Sequence, residues 1–174
     1  MNRKVILTVV GSDRPGLTQA IAEAVHAGGG NWLESHLSRL GGRYVGSVLV
    51  ELPEGRLDEL RQAARKIDAI GLKLELVEVA DVEQREGAPV GLEIVGQDRP
   101  GIVREVTAVL AALDVNIEEL TTTIEASAWS GAPLFRAKVK MLIPGTASAQ
   151  SVREALEGIS GEIMVDFAIE MAPS

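Results

Sequence analysis

Apolar residues recur along this chain with two periods that take turns. Val5, Leu7 and Val9 alternate with Ile6, Thr8 and Val10, which predicts a largely buried strand. Leu17, Ile21, Ala24 and Val25 then fall at helical spacing, the stripe of a helix packed on a sheet, and Gly28-Gly29-Gly30 ends it. Residues 31–40 read as a second strand, and Gly41-Gly42 as a tight turn into a third over 44–52. Pro53-Glu54-Gly55 breaks the pattern. Leu57, Leu60, Ala64 and Ile67 share one face of a second helix that ends near Gly71. A last strand over 72–79 alternates Leu72, Leu74 and Leu76 with Lys73, Glu75 and Val77. The order is strand, helix, strand, strand, helix, strand.

Residues 81–88 are polar and acidic without periodicity, and read as a linker. The whole order then recurs. A strand over 89–95 leads to a helix carrying Ile102, Val106, Val109, Leu110 and Leu113. Strands over 116–126 and 134–143 follow, then a helix with Val152, Leu156 and Ile159, and a final strand over 163–171. A repeat of 85 residues with its own core is too long for a solenoid unit, so this is a tandem duplication of a small α+β domain. The expected domains are residues 1–80 and 89–174. Each should be an antiparallel four-stranded sheet with two helices on one face. The other face needs cover, so the two halves are expected to pack together and the chains to form a homodimer.

One stretch marks the duplication most sharply. Gly11-Ser12-Asp13-Arg14-Pro15-Gly16-Leu17 returns as Gly96-Gln97-Asp98-Arg99-Pro100-Gly101-Ile102, identical at five of seven positions. Each copy joins a strand to a helix. Pro15 and Pro100 suit the first helical position, where a missing N–H costs nothing, and Gly11 and Gly96 permit unusual backbone angles where the strand ends. The first amides of the helix point outward without a partner inside it. They can receive a small ligand's carboxylate, or a nearby Asp13 or Asp98. Helix capping alone and ligand binding both account for such a turn. Asn31 and Asn116 align between the halves, as do Glu34 and Glu119. The halves part at the hairpin, where the second has the longer loop 127–133 carrying Trp129.

Charge narrows the partners. The net charge of −8 and pI of about 4.8 give a surface that repels phosphate backbones, so direct nucleic-acid binding is disfavoured. The absence of cysteine removes disulfides and thiolate metal sites and fits a reducing cytoplasm. No stretch approaches the ~20 apolar residues of a membrane span, and the first apolar run is too quickly broken to be a signal peptide. His26 and His36 belong to no metal-ligand spacing, and His26 suits a helix C-terminus. No nucleophile-base pattern or phosphate loop is present. Neither catalytic residues nor a metal or other cofactor is expected. Glu34, His36 and Arg39 read equally well as exposed contacts and as a solvated sheet face.

The repeated βαββαβ order, the Gly-x-Asp-Arg-Pro-Gly-[Leu/Ile] turn and an Asn opening the second strand resemble the ACT domain, an amino-acid-sensing module of ferredoxin-like fold. Two such domains, with Ser130-Gly131-Ala132-Pro133-Leu134-Phe135 in the second hairpin, are similar to the transcriptional repressors of the glycine cleavage system. The same turn also opens the regulatory regions of formyltetrahydrofolate deformylases and some phosphoserine phosphatases, whose chains continue into a catalytic domain. This sequence stops at Ser174. The resemblance implies two tandem ACT domains that bind a small amino acid, glycine or serine, at ACT-domain interfaces and act on a protein partner, a transcriptional activator. The implied ligand residues are Gly11, Asp13, Arg14, Pro15, Gly16, Leu17 and Asn31, with Gly96, Asp98, Arg99, Pro100, Gly101, Ile102 and Asn116. As ordinary side chains, Asn31 and Asn116 also suit turns, and Arg14 and Arg99 are expected to be solvated. A freestanding regulatory subunit of a metabolic enzyme and a ligand-free scaffold are the alternative readings.

Overall fold

The computed structural model describes residues 2–68, 71–79, 86–128 and 131–168. The chain divides into two compact units, Met1–Glu83 and Gln84–Ser174. Unit 1 runs β1 (Asn2–Ser12), α1 (Leu17–Ala27), β2 (Asn31–Leu40), β3 (Arg43–Pro53), α2 (Leu57–Asp68) and β4 (Leu72–Glu78). Unit 2 runs β5 (Ala88–Gln97), α3 (Ile102–Ala112), β6 (Asn116–Ala126), β7 (Pro133–Ile143), α4 (Ala149–Glu157) and β8 (Met164–Ala168). The strand orders are β2-β3-β1-β4 and β6-β7-β5-β8, every described pairing antiparallel. This is the expected α+β architecture, with two ferredoxin-like sheets and four helices.

The alternation read from the sequence sorts the faces. In unit 1, Val5, Leu7 and Val9 of β1, Val48, Val50 and Leu52 of β3 and Leu72 of β4 are buried against Leu17, Ile21 and Val25 of α1 and Leu60, Ala64 and Ile67 of α2. In unit 2, Leu92, Ile94, Ala137, Val139 and Met141 meet Ile102, Val106 and Leu110 of α3 and Val152 and Leu156 of α4. No polar or charged residue among those described is buried. Each core therefore rests on aliphatic burial without a polar network to satisfy.

Several expectations shift in detail. β5 already includes Ala88, which was read into the linker; residues 81–85 lie outside those described. Ile159 follows α4 and still packs on the core. The last strand is described only as far as Ala168, and residues 169–174 lie outside the description. Both second strands carry a bulge the sequence pattern did not disclose. Their register to the neighbouring strand slips between Trp32 and Glu34 and again between Ile117 and Glu119, leaving Leu33 and Glu118 as the extra residues.

Candidate functional site

The repeated turn has the same backbone in both units. Gly16 sits at φ 89°, ψ −1° and Gly101 at φ 92°, ψ −5°, left-handed angles that glycine adopts without steric cost. These are the values of the third residue of a type II turn, whose second position favours proline. In unit 2 the turn closes with the Ile102 amide donating to the Arg99 carbonyl at 3.3 Å. Pro15 and Pro100 therefore belong to the turn and not to the first helical position, because α1 and α3 begin two residues later, at Leu17 and Ile102.

Gly11 and Gly96 also serve a purpose other than the one predicted. Neither has a positive φ, and both lie within their strands. A Cβ on Gly11 would stand 2.6 Å from Leu72 Cδ1 and 2.8 Å from the Gly71 carbonyl oxygen. Close passage of β4 beside β1 excludes a side chain there. At Gly96 the nearest atom would be Ile163 Cγ1, at 3.2 Å.

Neither helix start is capped by a side chain. Gly16 and Gly101 occupy the cap positions and have none to offer, and the first helical bonds are Ala20 N–H to Gly16 O and Glu105 N–H to Gly101 O, both 3.0 Å. By contrast α4 begins with a reciprocal box in which Ser148 and Ser151 satisfy each other's amides. Of the two aspartates that such a helix start could also receive, Asp13 has its carboxylate engaged by a neighbouring strand and Asp98 is anchored through its backbone. Asp13 Oδ2 pairs with Arg39 Nε of β2 at 3.1 Å, and the Asp98 amide donates to the Pro133 carbonyl at 3.1 Å. Arg39 thereby acquires a partner that its exposed position did not announce.

The surroundings of the two turns differ. In unit 1, Thr18 Oγ1 of α1 and the Tyr44 hydroxyl of β3 are 2.6 Å apart, and Arg43 Nη1 donates to Ser12 Oγ at 3.0 Å. The turn is thus ringed by Asp13, Arg39, Thr18, Tyr44, Ser12 and Arg43. Thr18, Tyr44 and Arg43 were missed in the sequence. Register would have found the last two, since Gly11 faces Tyr44 and Ser12 faces Arg43.

In unit 2, Arg99 reaches over the first turn of α3 and grips Glu105 with two bonds, Nη1 to Oε1 at 2.7 Å and Nη2 to Oε2 at 2.5 Å. Arg99 is therefore paired, with about two-fifths of its side chain still exposed. That bidentate bond raises the arginine pKa and holds the Glu105 carboxyl below its ordinary value. The corresponding position in unit 1 is Ala20.

Asn31 and Asn116 do not join these turns within their own units. Asn31 pairs with Glu51 and Asn116 with Leu142, at the end of each sheet where β1 and β5 begin. The turns leave the other end, where Ser12 pairs with Arg43 and Gln97 with Leu134. Seven or eight residues of strand lie between, about 25 Å at ~3.3 Å per residue. Asn116 Nδ2 donates to the Glu118 carboxylate on the bulge. In the second hairpin loop, the Ser127 amide donates to the Ala132 carbonyl at 2.8 Å; Trp129 and Ser130 lie outside the described residues. No helix among the described residues is long and apolar enough to cross a membrane.

Comparison with known proteins agrees with this fold. Residues 3–76 and 77–166 each match a family model described as an ACT domain, and the chain belongs to the ACT-domain family. It is 22% identical to the glycine cleavage system transcriptional repressor of Escherichia coli K12, over 96% of this chain and 89% of that protein. Among solved structures, an unknown protein from Galdieria sulphuraria superposes with a TM-score of 0.77 at 28% identity, covering 96% of this chain and 98% of that one. A candidate glycine cleavage system transcriptional repressor follows at TM-score 0.70 and 14% identity, covering 97% and 98%.

Proposed function

We propose that this chain is a non-enzymatic regulator that binds a small amino acid, glycine or serine, through its Pro-Gly turns and controls transcription through a protein partner. The observation that carries this reading is the duplicated turn. In each unit a type II turn delivers an uncapped helix start, whose outward amides suit a carboxylate. Similarity along 96% of the chain to a protein named as a transcriptional repressor supports a regulatory role. The charge of −8 favours a protein partner over DNA phosphates.

The first turn is the stronger anchor. In the second, Glu105 already places a carboxylate in the opening turn of α3 and neutralises Arg99. Asn31 and Asn116, too far from their own turns, can contribute only across an interface between ACT domains, which fits a homodimer.

A thermal-shift titration against single amino acids tests the proposal. A ligand that binds only the folded chain stabilises it by about 2.7 kcal/mol at a hundred times its dissociation constant. Glycine or serine should raise the melting temperature, and Gly16→Val should lose more of that shift than Gly101→Val. No shift with any amino acid would turn the reading toward a ligand-free scaffold.

A further inference from the structure

We propose that the open face of the unit 2 sheet holds a separate binding site for a small zwitterion, a molecule carrying one carboxylate and one ammonium group. The site is a hollow of about 310 Å³ lined by Gly91 and Glu93 of β5, Glu119 and Thr121 of β6, and Lys138 and Lys140 of β7. That volume stands at the small end of ligand cavities. It lies on the face away from α3 and α4.

Its floor is a glycine that needs another explanation. Gly91 is interior to β5, faces Lys140 on one side and Ala168 on the other, and has no positive φ. The register of β5 to both neighbours runs through it without a bulge. Glycine in such a place weakens a strand and commonly marks close approach of something else. The matching residue of unit 1 shows what the fold otherwise puts there. By register, Ile6 corresponds to Gly91, Leu49 to Lys140, Ser47 to Lys138 and Thr8 to Glu93, while Glu34 and Glu119 are unchanged. Unit 1 fills the spot with isoleucine and leucine; unit 2 empties it and surrounds it with charge of both signs.

The contacts sort into fixed and exchangeable. Glu93 is held by Arg136 at 2.7 Å, and Arg136 also bonds Glu125 at 3.2 Å. This triad forms a fixed wall. Lys140 and Glu119 approach only to 3.4 Å, with about half of each side chain exposed. Lys138 and Lys140 stand two residues apart on one face, about 6.7 Å along the strand, so a carboxylate can sit between their ammonium groups. Glu119 lies one strand further, about 4.8 Å across, and with the Thr121 hydroxyl can accept from the ligand's ammonium. Binding would replace the loose Lys140–Glu119 contact with contacts to the two charges of the ligand.

Titration of the isotope-labelled chain with glycine, followed by amide NMR, tests this. We expect saturable shifts at Gly91, Thr121, Lys138 and Lys140. Acetate and methylammonium, each with one of the two charges, should bind about tenfold more weakly or worse. Gly91→Ile, the unit 1 residue, should abolish the shifts at Thr121, Lys138 and Lys140. Lys138→Ser, an exposed change that cannot disturb the core, should weaken binding several-fold. Because the shifts are read at named amides, this site stands or falls apart from the turns, and Gly16→Val should leave it intact. Acetate matching glycine, shifts surviving Gly91→Ile, or no saturable shift at these amides would each overturn the proposal.

Discussion

The two units share a fold, a turn and a bulge, yet they differ in what they expose. On the open face of the first sheet, Ile6 lies between Leu49 and Val77, and Val10 beside Val45, with Val10 and Val77 about half exposed. On the second, Glu93, Arg136, Glu125, Lys140 and Glu119 are tied into ion pairs. The turns diverge in the same sense. The first leaves Ala20 where the second places Glu105 to grip Arg99. Duplication has kept the residues that make backbone and core, and freed those on the face and around the turn. Shared positions therefore report the fold, and divergent ones report specialisation.

The largest test of that division is at the first glycine of the motif. Gly11→Ala must push against the Gly71 carbonyl at 2.8 Å, a backbone atom, and should cost about 1–3 kcal/mol. Gly96→Ala meets the Ile163 side chain at 3.2 Å, with the Glu162 carbonyl at 3.5 Å, an ordinary contact distance, and should cost less than ~1 kcal/mol. Urea unfolding followed at amides of β1 and β5 reads each unit separately. Equal losses would show that the two strands are crowded alike. The turn glycines should behave differently. Gly16→Ala and Gly101→Ala both force a side chain into a left-handed position, and each should lose about 1–2 kcal/mol. A marked inequality there would mean that the shared geometry conceals unequal support.

Much of this was legible in the chain because burial is periodic. Val5, Leu7 and Val9 alternate because one face of their strand meets helices, and Leu17, Ile21 and Val25 recur because one stripe of theirs does. The Pro-Gly pair announced a turn, but its type depends on a positive φ that glycine permits without requiring. That is why the pattern sets the helix start at Pro15, two residues before Leu17, where the helix begins. Asn31 illustrates a different limit. Alignment between the repeats singled it out, but only strand register shows it at the far end of the sheet from Gly16. The Arg99–Glu105 grip spans six residues across a turn and a helix start, a spacing that belongs to neither helical nor strand periodicity.

That grip gives the third test, which depends on pH. The Arg99 bond holds the Glu105 carboxyl below its unfolded value of 4.5. A depressed carboxyl contributes stability above the unfolded value and loses it as pH falls through the folded one. Unit 2 of the natural chain should therefore resist urea better than Glu105→Gln near neutrality, and the gap should close below pH 4.5. Unit 1, with Ala20, should show no such term. A gap that persists unchanged into acid would mean that the charge on Glu105 contributes nothing.

The smallest effect concerns the open faces. Exposed ion pairs are weak and screened, and at about 1 M salt the Debye length falls to ~3 Å. The Arg136 guanidinium, whose pKa is raised by its bonds to Glu93 and then Glu125, is only one-third exposed, so salt should loosen it partially. Moderate sodium chloride should lower the urea midpoint of β5–β8 slightly more than that of β1–β4, since the first face sets Ile6, Leu49 and Val77 where the second has charge and keeps the exposed pair Lys73–Glu75 on β4. Arg136→Met should reduce the salt dependence of unit 2, to what Lys140–Glu119 and Arg99–Glu105 leave, while keeping the aliphatic cover that the arginine stem gives to the sheet. Should unit 1 prove the more salt-sensitive, the contrast between the two faces would have to be sought in their edges, where Arg3–Glu78 and Asp13–Arg39 are also exposed pairs.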